Sequence, residues 1–488
     1  MKKIISTVSA MAIAYSSFGF CGFYVAKADT KLFNKTSQVI IARNGDHSTI
    51  TMSSDFEGDV KDFAMVVPVP VVLEQKDIKV VDRILFDKLD AYSGPRLVEY
   101  YDQDPCYAPR YYDYMVPAMA RSNAGAAEDD IVMDSAAKKD YGVTVEAKYT
   151  VGEYDILILS AKESGGLYDW LSDNGYKVPD GAKEVLDPYI TGGMKFFVAK
   201  VNLDNYQNNG AVPLRPLQIS FNSPKFMLPI RLGMANADGP QDLIVYAFSK
   251  TGRIETTNYR TVPVPTGQNV PLFVADEFGS FYKNLYNKAW KRENQNTVFL
   301  EYAWDVSPQV TSYCDPCTGP PPMLDDFQQA GVDWVENYHY GYQGEVHFTR
   351  LHITYARNTF PQDLMFEETP NKENFQARYV ITHPASSDFS CDAGQDYLKE
   401  LSKRRWNELW TYQWLTGNAV TDHYDYPAEY NKFLKKENKK TGDFIPPFIP
   451  PQGNNGPDGG MMSIVLSFLT LAAVMFTLSR RRQPAAVA

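Results

Sequence analysis

Cysteine and histidine are the residue types here with the clearest chemical potential. CDPC at 314–317 is the sharpest local motif in the chain. A redox pair of this spacing needs its first thiol at a helix N-terminus, where the dipole lowers the pKa. Thr318-Gly319 and then Pro320, Pro321 and Pro322 follow directly, and three prolines do not continue a helix. A structural disulfide between Cys314 and Cys317 is therefore the favoured expectation, ahead of half a zinc site and of redox catalysis. No second CxxC or paired histidine stands near to complete a zinc site.

The other cysteines are Cys21, Cys106 and Cys391. With Cys21 retained the count is odd, which leaves one thiol free or paired elsewhere. Cys21 with Cys106 is the expected long-range staple, although spacing alone assigns no pairs. None of the six histidines forms HExxH. His347 and His352 are five apart on an expected strand, which points them to opposite faces and reads as ordinary surface or core residues. Asp238 and Asp242 resemble a fragment of a calcium loop, but the spacing fails and a turn explains them better. No GxSxG, Walker or dinucleotide glycine pattern is present. Catalytic, cofactor-binding and metal residues are all expected to be absent.

The two ends bear on compartment. Residues 461–479 carry no charge, and at ~1.5 Å per residue they reach roughly the thickness of a bilayer core. Arg480, Arg481 and Arg482 follow at once, and such a cluster stays cytoplasmic. The expectation is a single transmembrane helix with a cytoplasmic tail at 480–488 and the bulk of the chain outside the cytoplasm. Lys2 and Lys3 before the apolar Ile4–Tyr15 stretch have the form of a secretory signal peptide. Cleavage after Gly19 is preferred to cleavage after Ala28, which would discard Cys21 along with Lys27 and several aromatics.

Between the ends lies a β-rich globular chain. Of the 488 residues of the whole chain 14% are aromatic, including 32 Tyr and 27 Phe, which suits strands. A net charge of −11 argues against nucleic acid. The first module, 20–114, opens with a hairpin: Val39–Ile41, a turn at Asn44-Gly45-Asp46, then Thr49–Met52. In FAMVVPVPVV, Pro68 and Pro70 demand a strand edge or exit. A small, polar insert spans 115–140. The middle module, 141–275, begins with two strands around Val151-Gly152-Glu153. A helix follows with Leu167, Trp170 and Leu171 on one face and Gly175 as its stop, then a second helix from Ala182 to Tyr189. KFFVAKVNL, PLQISFNS, MLPIRLGM and DLIVYAFS read as strands.

The third module, 276–434, has a helix from Phe278 to Arg292, strands at TVFLEYAWDV, EVHFTRLHITYA and FQARYVITHP, and a longer helix from Gly394 to Leu415. A stalk rich in Lys, then Pro and Gly, spans 435–460. The expected fold class is α+β: mostly antiparallel sheets with flanking helices, plus the C-terminal transmembrane helix.

Several separate stretches, in order, carry a family resemblance: CGFYVAKADTKLFNKTSQVIIAR, FAMVVPVP, GEYDILILSAKESGGLYDWL, FLEYAWDV with CDPC, FTRLHITY and NFQARYVITHP. Together they resemble the bacterial exported family called domain of unknown function 2330, from about Cys21 to Leu415. The resemblance implies an exported bacterial protein and carries no catalytic residues over. It also implies that the stretch from Cys21 is mature protein. The tail resembles a tripartite envelope-sorting signal as well, with Gly459-Gly460 before the apolar run and the arginines. A retained anchor is preferred to release by cleavage. The expected function is a non-enzymatic binding or scaffolding ectodomain in the cell envelope. Its expected partners are the bilayer through 461–479 and an envelope protein or glycan. An extracytoplasmic redox or hydrolytic enzyme is the alternative.

Overall fold

The computed structural model describes residues 23–24, 33–34, 37–53, 56–57, 64–107, 141–174, 176, 181–202, 205–206, 214–235, 239–308, 319–338 and 341–418. In chain order, β1 (Ser37–Asn44) and β2 (His47–Ser53) form the expected hairpin, with Gly45 at φ 57° in its turn. Next come β3 (Ala64–Val69), β4 (Ile78–Val80), α1 (Ile84–Ser93) and β5 (Arg96–Tyr101). The middle stretch contributes β6 (Val143–Val151), β7 (Tyr154–Ala161), α2 (Ser164–Asp173), α3 (Ala182–Thr191), β8 (Lys195–Val201), β9 (Leu217–Asn222) and β10 (Gln241–Ser249). The last stretch adds β11 (Arg260–Pro263), α4 (Phe278–Arg292), β12 (Thr297–Asp305), α5 (Leu324–Ala330), β13 (His347–Tyr355), β14 (Arg378–His383) and α6 (Asp392–Thr416).

A nine-stranded sheet runs β11-β12-β13-β10-β1-β2-β9-β4, with Phe375–Gln376 against β12. Its strands come from all three sequence modules. Most neighbours are antiparallel, but β10–β1 and β11–β12 are parallel. A five-stranded antiparallel sheet is ordered Phe23–Tyr24, β3, β8, β7, β6. A small parallel sheet joins Gln268–Asn269, β14 and β5.

The two large sheets pack face to face. Val39, Ile41, Leu243 and Leu351 from one meet Val67, Ile156, Ile158 and Phe197 from the other. Helices cover both outer faces: α2 and α3 bury Leu167, Trp170, Leu171 and Leu186 on the five-stranded sheet. On the nine-stranded sheet, α1 and α5 form one apolar cluster, and α4 with α6 a second. Strands covered on both faces need apolar residues at consecutive positions, which is what Val39, Ile40, Ile41 and Ala42 supply. Each such fully buried Val, Ile or Leu contributes about 1.5–3 kcal/mol.

The expected α+β class, several antiparallel sheets with flanking helices, is present. Two sequence expectations need correcting. MLPIRLGM is a strand only at Met227–Leu228, because Pro229 cannot extend the ladder. The expected Cys21–Cys106 staple is not formed, because Cys106 is bonded to Cys391. Pro68 lies within β3, opposite Phe196, and the strand ends at Val69 before Pro70. Among the described residues no helix is long and apolar enough to cross a membrane. Residues 461–479, Gly175, and the stalk and insert lie outside the described residues.

Candidate functional site: a buried charge string under the helices

A β-bulge organises the most polar place in the interior. Along β12, Phe299 opposes His352 and Leu300 opposes Leu351, but Tyr302 opposes Arg350, so Glu301 is the extra residue. Phe299 and Tyr302 belong to the two helix-covered clusters, while Leu300 and Ala303 belong to the inter-sheet core. The added residue lets Glu301 and Tyr302 both serve the helix-covered face, the re-aiming that bulges provide. Glu301 is 1% exposed.

Its carboxylate is saturated. Tyr282 from α4 donates its hydroxyl to Oε1 at 2.5 Å, and Arg350 donates Nε to Oε2 at 2.6 Å. His352 Nδ1 lies 2.7 Å from Oε1. Arg350 and His352 stand two apart on β13 and so share a face. Arg350 Nη1 also reaches Asp90 Oδ1 on α1 at 2.6 Å, and Tyr246 donates to the same oxygen at 2.8 Å. On the far side His352 Nε2 is 3.9 Å from Asp242 Oδ1, which Thr354 also contacts through its hydroxyl. The Tyr286 ring stacks on the imidazole with centroids 3.9 Å apart.

The result is an alternating string, Asp90–Arg350–Glu301–His352–Asp242, laid along the seam between the two helix clusters. Its middle is buried, and its end carboxylates are partly solvated, with side-chain exposures of 49% and 38%. Burial pushes the Glu301 carboxyl up, but His352 and Arg350 beside it more than reverse this and hold it at about 2. Burial pushes His352 down, and Glu301 with Asp242 outweighs it, raising the imidazole to about 9. At neutral pH His352 is thus an imidazolium with both ring nitrogens directed at carboxylates. Such a group holds a proton rather than accepting one.

A second tie concerns the last helix. Cys106, just past β5, is bonded to Cys391, with Cα atoms 5.8 Å apart and 285 positions apart in sequence. Cys391 is the N-cap of α6, its sulfur accepting from Gly394 N. Asp102 in the same loop accepts from Tyr397 at 2.7 Å and from Arg404 at 3.1 and 2.5 Å. The start of α6 is therefore fixed to the end of β5 by one covalent and three polar links.

Of the residues marked in the sequence, Cys106 and Cys391 come together. Cys21, Cys314, Cys317, Arg480, Arg481 and Arg482 lie outside the described residues. His352, for which the sequence left surface and core both open, is mostly buried, with its side chain 16% exposed, and it is charged; Asp242 sits in β10 rather than in a turn. Glu301, Arg350 and Asp90 were missed. For Glu301 and Arg350 the signal was a charge inside an apolar strand, in TVFLEYAWD and HFTRLHITY; Asp90, on α1, carries no such mark. Among the described residues no group of three His, Cys, Asp or Glu is arranged to hold a metal ion.

These features define an α+β protein built on two large packed sheets, with a saturated interior charge string and a disulfide-clamped terminal helix. The family model described as an uncharacterized protein conserved in bacteria, DUF2330, matches residues 15–367, and the chain belongs to that family. The match begins a few residues before Cys21 and stops short of β14 and α6. No curated protein and no solved structure matches the chain.

Proposed function

We propose that the chain is a membrane-anchored extracytoplasmic protein of the bacterial cell envelope whose ectodomain binds or scaffolds. The Cys106–Cys391 bond supports the compartment, since disulfides persist where the surroundings oxidise. The apolar run 461–479 followed by Arg480, Arg481 and Arg482 supports the anchor and its orientation. The observation that carries the binding role is the division of labour among polar and aromatic groups. The charges best placed for chemistry are consumed by one another inside. The surface instead presents Tyr100, Tyr101 and Tyr107 around the loop that carries the disulfide, the last two 71% exposed. Exposed aromatics of this kind favour contact with a partner surface or a sugar face. An envelope protein or glycan is the partner class this surface fits.

An extracytoplasmic hydrolase is the second reading, and the placement of His352 between two carboxylates is what favours it. It requires the imidazolium to lose its proton near neutral pH, which the flanking carboxylates oppose. The full chain, purified in mild detergent and immobilised, tests the first reading against fractionated envelope protein and glycan. Saturable retention of one fraction that Tyr101→Ala with Tyr107→Ala abolishes is expected. Chemical turnover of a fraction that His352→Gln eliminates would establish the enzyme instead.

A further inference from the structure

The three tryptophans of α6 have a spacing that core packing does not require. Trp406, Trp410 and Trp414 recur every four residues, so they form one stripe on the helix surface. They are 39%, 40% and 39% exposed, whereas Trp170, Trp290 and Trp334 in the same molecule are 2%, 8% and 8% exposed. The opposite side of the helix does the packing, through Leu398 and Leu401 near its start and Tyr412 and Leu415 against α4. Cations border the stripe. Arg292 of α4 lies over the Trp414 ring at 5.9 Å, and Lys288 donates to the carbonyls of Gln413 and Trp414 at 3.3 and 2.5 Å. Lys399 and Lys403 precede it on the helix, each ion-paired to an acid three residues before it, Asp396 and Glu400.

A rigid row of indoles bordered by Lys and Arg matches the headgroup layer of a bilayer, where the ring is half apolar and its N–H stays wet. The position of the row in the chain favours the same occupant. α6 ends at Thr416, and the uncharged run begins at Met461. About 40 residues separate the two, and a flexible linker of that length has an r.m.s. reach of roughly 35 Å, so anchorage confines this helix to the neighbourhood of the membrane. Lys432, Lys435, Lys436, Lys439 and Lys440 fall within that connection and suit anionic lipid heads. The links from Cys391, Tyr397 and Arg404 to the 102–106 loop hold the helix against the body, so docking the stripe would orient the whole ectodomain.

We propose that the Trp406–Trp410–Trp414 face of α6 lies in the outer headgroup layer of the membrane that holds the anchor. The inference rests on the anchored reading above and adds a fixed posture to it: a body lying against the bilayer rather than held off on a stalk. All seven tryptophans lie at or before Trp414, and none falls in 419–488. Quenching of tryptophan emission by lipid-borne bromine therefore reports only on the ectodomain. The full chain is reconstituted into vesicles of phosphatidylcholine and phosphatidylglycerol carrying bromines near the headgroup end of the acyl chain. The comparison is with Trp406→Phe/Trp410→Phe/Trp414→Phe, whose fold is verified by its intact disulfide and far-ultraviolet circular dichroism.

Wild type is expected to be quenched and to float with the vesicles. The triple variant should float equally and show about a twofold or larger loss of quenching. Wild type that floats without quenching overturns the docked face while leaving the anchor standing, and points to a soluble partner such as a glycan for the stripe. Quenching that survives in the triple variant also overturns it. Wild type that fails to float overturns the anchor and the docked face together.

Discussion

Replacing Glu301 by Gln puts the charge string to a quantitative test. The amide keeps the shape and one acceptor, but removes the negative charge between Arg350 and His352 and leaves at least one charged donor without its partner. Breaking one member of a buried ion pair costs about 3–5 kcal/mol. A second route gives a similar figure: His352 rises from its ordinary 6.5 to about 9, and each unit corresponds to about 1.4 kcal/mol, so the site favours the imidazolium by roughly 3 kcal/mol after the opposing effect of burial. Both figures describe largely the same contacts and are not added.

The pH signature follows from the sign of each shift. A raised histidine contributes stability fully below about 6.5, and that contribution is lost as pH rises through about 9. A lowered Glu301 contributes above about 4.5 and is lost as pH falls through about 2. Urea unfolding of the full chain in mild detergent, followed by tryptophan emission, should show wild type most stable from about pH 5 to 6.5. Glu301→Gln should be weaker by about 3–5 kcal/mol at pH 6 and should lack most of the alkaline decline. Wild-type and variant stabilities running parallel from pH 6 to 10 would refute a charged His352 held by Glu301.

Other consequences are equally direct. Reducing the Cys106–Cys391 bond, or substituting both residues by Ser, should lower stability by about 2–5 kcal/mol in thermal melts, because the bond closes a very long loop. Gly331, which ends α5 at φ 83°, has Thr49 Cγ2 only 2.3 Å from where a Cβ would stand. Gly331→Ala should therefore cost about 1–3 kcal/mol by urea titration, and an unchanged midpoint would contradict the close approach. Asp363 accepts from Tyr189 Oη at 2.6 Å and from the backbone N–H of Ile230 and Arg231 at 3.0 and 3.1 Å. Asp363→Asn should weaken the protein by about 1–3 kcal/mol and speed amide exchange at Ile230 and Arg231.

What could be read in the sequence was local. The β1–β2 hairpin announces itself through Asn44-Gly45-Asp46 between apolar runs, and α4 through buried Phe281, Leu285 and Ala289 at spacings of four. Its bounds, Phe278–Arg292, are those the sequence indicates. Pairing across long separations was hidden. β10 lies parallel to β1 some 200 positions away, and no local pattern encodes that neighbour. The charge string depends on such pairing twice over, since β13 must lie between β10 and β12 before Asp242, Glu301 and His352 meet. The bulge at Glu301 then turns Tyr302 to the helix-covered face, where strict alternation would assign it to the inter-sheet side. The Cys106–Cys391 bond was invisible for the same reason: it needs β5 beside β14 and α6 folded back over both.

Orientation across the membrane is the claim on which the compartment, the oxidised thiols and the envelope role all depend. Protease added to intact spheroplasts of the producing bacterium measures it directly, with fragments probed by one antibody to the ectodomain and another to the C-terminal tail. The ectodomain should be digested from outside, while a short tail fragment containing Arg480, Arg481 and Arg482 survives until the membrane is lysed. An ectodomain that resists protease in intact spheroplasts and is cut only after lysis would contradict the account.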